Sequence, residues 1–175
     1  PLRALDGRWV VDGWVAAHYL AGTDAALDWP TVRGAGRAFH AALAAVPHPA
    51  FLEQRTHLWA VADRVAWGTA TLEVQAVLAP VLDRLTARLQ PVEVVEQLVH
   101  GDLAGNVLMG DPPGILDFSP YWRCVDYADA QVVVDALLWH DASRSLAEGG
   151  EEQRWLAAVV FRGGALDGRA RGEPC

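Results

Sequence analysis

His100-Gly-Asp-Leu-Ala-Gly-Asn106 continues into Val107-Leu-Met109, then Gly110-Asp-Pro-Pro-Gly114, then Ile115-Leu-Asp-Phe118. Val94 to Val99, Asn106 to Met109 and Ile115 to Phe118 are short apolar runs bounded by Gly, Asp or Pro, the pattern of strands separated by polar loops. Residues 110 to 114 set two prolines between two glycines, a composition that reverses the chain within a few residues. Such a reversal carries Asp117 toward Asn106. Two oxygen-bearing side chains brought together suit a divalent cation that keeps waters and phosphates as its other ligands. Asp102 stands off that pair and is left as a candidate base.

The order HGD, short loop, Asn, apolar strand, Asp-Phe resembles the catalytic loop of the aminoglycoside phosphotransferase and choline kinase family, small-molecule kinases with the protein-kinase fold. The resemblance implies an α+β fold: a protein-kinase-like C-terminal lobe, mainly helical with short catalytic-loop strands, plus an N-terminal hairpin and hinge remnant of the N-lobe. It implies an ATP-dependent phosphotransferase moving the γ-phosphate to a hydroxyl of a small molecule, with Mg²⁺ and ATP bound. In that reading Asp102 accepts the hydroxyl proton, His100 supports the loop, and Asn106 and Asp117 hold metal. The chain departs from the family at three places. Asn106 follows Asp102 one residue too soon, which Gly105 accommodates by a tighter path or which degrades the Asn106 metal position. Ala104 replaces a polar residue, and Ser119 replaces the glycine after Asp-Phe.

Further along, Asp129 stands where the family has an aspartate that begins a helix and braces the loop. Ala130 to Trp139 is apolar enough for a buried helix, with Asp126 or Asp129 as N-cap. Trp122 and Arg123 either line an acceptor pocket or pack on the loop, and Arg123 is a possible partner for Asp102 or Asp117.

Upstream, Gly7 to Val11 and Trp14 to Leu20 read as two strands joined by an Asp12-Gly13 turn, a strong hairpin signal. By the resemblance, Ala17, His18, Tyr19 and Leu20 lie in a hinge whose backbone meets adenine. Domain boundaries follow: residues 1–22 as the N-lobe remnant, 23–162 as the C-lobe, 163–175 as a disordered tail without apolar periodicity. Between them, Asp28 caps a helix entering through Pro30 and ending near Val46. Further helices are expected over Thr56–Trp67, over Leu72–Leu89 with a bend at Pro80, and over Glu151–Arg162. His40, on the first helix, reads as a packed histidine rather than a ligand.

The chain contains no lysine. The family's phosphate-holding lysine is therefore missing, as is a GxGxxG-like loop, and the sequence reads as a truncated kinase. A second reading is a noncatalytic pseudokinase remnant or interaction module. A third, a metal hydrolase built on His100 and Asp102, lacks the usual further histidines.

With 175 residues, of which 52% are hydrophobic, the chain can bury one core, and eight tryptophans imply apolar surface that a homodimer would cover. A net charge of −8 argues against nucleic acid as a partner. The acidity after the strands, from Asp126, Asp129, Asp135, Asp141, Glu148, Glu151 and Glu152, suits a cationic substrate or is a solvated face. Two cysteines make no disulfide framework, and no apolar run has membrane-spanning length. A cytoplasmic protein is expected.

Overall fold

Asp28 starts helix α1 (Trp29–Leu43) by accepting the Thr31 amide at 3.1 Å and the Thr31 hydroxyl at 2.9 Å, with Pro30 in the first turn. The cap predicted from sequence is therefore present, and it satisfies a backbone donor that the helix itself cannot. The computed structural model describes residues 1–25, 27–71 and 73–170, the last five as backbone.

The fold is α+β. Strand β1 (Thr23–Asp24) precedes α1; a 3₁₀ turn (Ala50–Gln54), α2 (Leu58–Ala66) and α3 (Ala79–Thr86) follow. Strands β2 (Gln97–His100), β3 (Val107–Met109), β4 (Gly114–Ile115) and β5 (Pro120–Arg123) carry the polar loops. Helix α4 (Val125–Trp139), a second 3₁₀ turn (Arg144–Ala147) and α5 (Glu152–Ala170) complete the order. The strands form two small antiparallel sheets, β1-β3-β4 and β2-β5. Val107 faces Ile115 across the reversal at 110 to 114, and Leu98 faces Trp122.

Several elements differ from expectation. The helix over 72–89 shrinks to Ala79–Thr86, because Pro80 starts it rather than bending it; a first-turn proline lacks only an N–H that has no partner anyway. Leu72 lies outside the described residues. The strand Ile115–Phe118 keeps only Ile115, since Asp117 adopts φ 41 and cannot continue an extended ladder. The paired strands expected at the N-terminus reduce to isolated bridges, Val11 with Trp14 and Leu2 with Ala16. The Asp12-Gly13 turn itself forms, with φ 51 and 83, the signs of a type I′ turn. What it lacks is a layer to pack on: Trp14 is 80% exposed and Tyr19 89%, so the hairpin has no apolar face to hold it flat.

The segment expected to be a tail behaves differently again. Helix α5 continues through Gly163 and Gly164 to Ala170, while 171–175 lie outside the described residues. A Cβ on Gly163 would come within 2.7 Å of Leu82 on α3. Glycine is there because a neighbouring helix presses close, a long-range reason that composition does not reveal.

The main core lies between α2, α4 and α5 and closes on β2 and β5, with Val99, Tyr121, Tyr127, Ala158 and Phe161 all buried. A second cluster joins α1 to the loop and to α4 through Val32, Leu103, Val107 and Val132. Helix α4 is buried on nearly every face from Tyr127 to Ala136, where apolar residues predominate. It starts at Val125 after Cys124, so neither Asp126 nor Asp129 caps it. Within it Gln131 is 1% exposed, and neither its amide nitrogen nor its oxygen has a partner. Gln131→Met keeps the volume and removes both orphaned groups; urea unfolding is expected to show a gain of about 1 kcal/mol. Among the described residues no helix is long and apolar enough to cross a membrane.

Candidate functional site

The loop after β2 is fixed by a relay of two buried histidines. The His100 amide donates to His40 Nε2 at 3.0 Å, and the Asp102 amide donates to His100 Nδ1 at 3.0 Å. A ring nitrogen that accepts from an N–H carries no proton, so His100 holds its proton on Nε2 and donates it to the Leu116 carbonyl at 3.0 Å. One imidazole thus joins the backbone at Asp102 to the backbone beside Asp117. His100 is fully buried among Phe39 and Phe118, whose rings meet it edge-on. It holds the loop through these bonds and touches nothing that enters from solvent, so it is a positioning residue. Both ring nitrogens are thus engaged by the backbone in this arrangement.

Burial pushes the His40 pKa down to about 4, helped by His100 nearby, and burial likewise lowers that of His100. Between pH 6.5 and 4 the unfolded chain then binds protons that the folded chain refuses, so stability falls as pH falls through that window. For His40 the loss amounts to about 3 kcal/mol. Urea unfolding from pH 7 to 4 is expected to show it, and His40→Gln, whose amide oxygen accepts the same N–H, is expected to flatten the slope.

The shortened loop closes as its glycine permits: Gly105 takes φ 79, and the Asn106 amide donates to the Leu103 carbonyl at 3.0 Å. Asn106 Nδ2 donates to the Asp102 carbonyl at 2.7 Å, which leaves Oδ1 unengaged. The Leu116 amide donates to the Asn106 carbonyl at 2.9 Å, so the hairpin brings Asn106 opposite the residue preceding Asp117. Asp102 and Asp117 line one cavity of about 360 Å³, together with Arg55, His57, Tyr121 and Arg162.

Arg162, from α5, reaches Asp102 Oδ1 at 3.0 Å and also binds Asp135 of α4 through the same nitrogen. Arg162 and Asp135 are buried, 6% and 4% exposed, and burial raises the Asp135 carboxyl above its ordinary value even beside the arginine. The partner of Asp102 is thus Arg162. Arg123 instead clasps Asp63 at 3.1 and 2.5 Å and reaches Glu96 at 3.3 Å. Asp129 pairs with Arg33 at 2.5 Å and Arg37 at 3.5 Å, tying α4 to α1; it does not brace the loop.

Ala17, His18, Tyr19 and Leu20 run without regular structure, and none of them lines the cavity. Leu20 does lie over the hairpin: a Cβ on Gly114 would stand 3.2 Å from its Cδ1. Trp122 packs against His48, not the cavity. Of the acidic residues after the strands, Asp126, Asp129, Glu148 and Glu151 surround a different recess with Arg33 and Arg154. Arg55, His57 and Arg162 were not foreseen. For Arg162 a signal existed: Ala158 and Ala165, both 0% exposed, flank it at helical spacing, and a charge in a buried stripe demands a buried partner.

Among the described residues no three His, Cys, Asp or Glu side chains cluster as a metal site. The Asp117 carboxylate is an oxygen ligand of the kind Mg²⁺ accepts when phosphates and water complete its shell. Asn106, unlike Asp117, does not line the cavity; the two segments meet through the Leu116 amide and the Asn106 carbonyl rather than through their side chains. Comparison with family models, curated proteins and solved structures returned no match.

Proposed function

We propose that the cavity is the acceptor site of a small-molecule phosphotransferase of the kinase-like type, built on a C-lobe-like arrangement of helices around the β2 to β5 loops. The observation that carries this reading is that Asp102 and Asp117, fifteen residues apart in sequence, line one cavity while a single buried imidazole links their backbones. Two carboxylates with different surroundings suit two roles. Asp102 has one oxygen held by Arg162 and is the proton acceptor; Asp117 has no ion pair among the described residues and is the metal-side carboxylate.

In this mechanism Asp102 Oδ2 takes the proton of the substrate hydroxyl. The hydroxyl oxygen bonds to the γ-phosphorus of ATP as the bond from that phosphorus to the β,γ-bridging oxygen breaks, and ADP leaves with that electron pair. Arg162 turns the Asp102 carboxylate, and His100 fixes its backbone, so that little reorientation remains to be done in the transition state. Asp117, with Asn106 if its side chain turns toward it, would hold Mg²⁺, which would offset charge on the phosphate oxygens. The segment 17–20, lying beside the hairpin, is the candidate contact for adenine. An ATP-dependent step of this sort suits a cytoplasmic setting.

The test is thermal unfolding with and without Mg-ATP, on the chain and on Asp117→Ala. Ligand that binds only the folded state stabilises it by about 2.7 kcal/mol at a hundredfold excess over Kd. A rise in midpoint in the unsubstituted chain, lost in Asp117→Ala, is the expected result. No rise in either favours the noncatalytic reading, for which the engagement of Asp102 by Arg162 is the supporting observation.

A further inference from the structure

One wall of the cavity carries an arginine to which the mechanism above gives no part. Arg55 lies between the first 3₁₀ turn and α2, His57 stands at the start of α2, and both line the cavity with Asp102. Arg55 pairs with no carboxylate among the described residues. Its guanidinium lies 4.7 Å over the Tyr121 ring, and its Nε is buried without a hydrogen-bond partner. His57 Nδ1 is likewise buried and unpartnered. Asp63 attracts Arg55 through space but binds Arg123 with both oxygens. Burial brings the Arg55 pKa down, against the pull of Tyr121 and Asp63 and with the like charges of Arg64 and Arg123, while the side chain as a whole stays partly exposed to the cavity. A buried nitrogen without a partner is a cost that a ligand, a water or a local rearrangement relieves.

Geometry connects this wall to the reacting carboxylate. The Tyr121 ring that carries Arg55 on its face presses its edge on Gly101, where a Cβ would stand 2.4 Å from Cδ2, and Gly101 is bonded to Asp102. A small molecule spanning that ring meets a cation at one end and Asp102 at the other. We propose that the cavity takes a small hydroxy-carboxylate, its carboxylate held by Arg55 and His57 and its hydroxyl directed at Asp102. The planar guanidinium fork matches two carboxylate oxygens, and Asp126, Asp129, Glu148 and Glu151, four of the acidic residues that suggested a cationic substrate, surround a different recess. The direction given to the hydroxyl rests on the phosphotransferase reading; the carboxylate site does not.

The experiment measures the unfolding midpoint of the chain in glycerate, ethanolamine and glycerol at matched ionic strength, without nucleotide or magnesium. Glycerate is expected to raise the midpoint in a saturable way, and ethanolamine and glycerol to leave it unchanged. Arg55→Gln removes a charge already crowded by two others, so it is expected to fold and to weaken glycerate binding about tenfold or more, the scale of a lost charge-assisted contact. His57→Asn is expected to weaken it in the same direction, and Arg84→Gln, on the exposed side of α3, to leave it intact. Stabilisation by ethanolamine in place of glycerate overturns the proposal, as does no response to any of the three. So does a glycerate response that survives Arg55→Gln unchanged; if that variant instead weakens only Mg-ATP, the arginine serves the nucleotide phosphate. Failure of Mg-ATP to bind while glycerate does removes the kinase reading and leaves the carboxylate site standing.

Discussion

Arg162→Ala is expected to destabilise the fold by about 3–5 kcal/mol, the scale for leaving a buried charge without its partner. Arg162 is the single cation between Asp102 and Asp135, and Asp135 is 4% exposed with its second oxygen, Oδ1, already unpartnered. Without the guanidinium, the Asp135 carboxylate keeps a hydrogen bond from Trp139 but no counter-charge among the described residues. The sign with pH follows from its raised pKa. A carboxyl easier to protonate when folded contributes stability at low pH that is lost as pH rises, so the variant is expected to be weakest, relative to the unsubstituted chain, near neutrality, with the gap narrowing on acidification. Urea titrations of both proteins at pH 7 and pH 5 check this. Adding Asp135→Asn to the variant is expected to recover much of the loss, because a neutral amide costs less to bury than an unpaired charge. A variant equally weak at both pH values, or unimproved by Asp135→Asn, would mean that Arg162 matters through its stem and not its charge.

Phe161→Ala is expected to cost about 3–5 kcal/mol as well, by emptying the centre of the main core. The ring is 1% exposed and meets Tyr121 edge-on at 5.8 Å, Tyr127 at 6.5 Å and Trp59 at 5.6 Å. These neighbours come from β5, α4 and α2, so no single element can shift to fill the space. Chemical denaturation measures the loss. Phe161→Leu, which keeps most of the apolar volume, is expected to lose less than half as much. Tyr121 also forms the cavity wall, so the alanine variant is expected to weaken glycerate binding even under conditions where it remains folded.

How far the sequence led depends on the range of the interaction concerned. Asp28, Pro30 and Thr31 are neighbours, and a capped helix at that position was legible because all its determinants lie within a few residues. The turn at 110 to 114 was legible for the same reason, and with it the approach of Asn106 to the segment bearing Asp117. Gly163 was misread because its partner, Leu82, lies eighty-one residues away, and only an assembled core shows that the glycine admits a helix. The charged pairs failed likewise. Asp102 with Arg162 and Asp63 with Arg123 each span sixty residues, and no local pattern says which of fourteen arginines an aspartate will meet. Asp102 and Asp117 could be named from their motif; the cations around them could not.

The pairing of backbone amides with imidazole nitrogens has a consequence for how the loop comes apart. A carbonyl accepts hydrogen bonds at any ordinary pH, but a ring nitrogen that gains a proton becomes a donor and confronts the amide it had been holding. The amides of His100 and Asp102 are tethered in this second way. Acid therefore does more than lower the stability of the whole; it cuts two particular tethers while the sheet pairing of Leu98 and Val99 with Trp122 and Tyr121 retains its chemistry. In deuterated solvent, the exchange protection of those two amides should drop ahead of their strand neighbours as pH falls. Such an order of release would make the strand a ruler against which the loosening of the loop is timed.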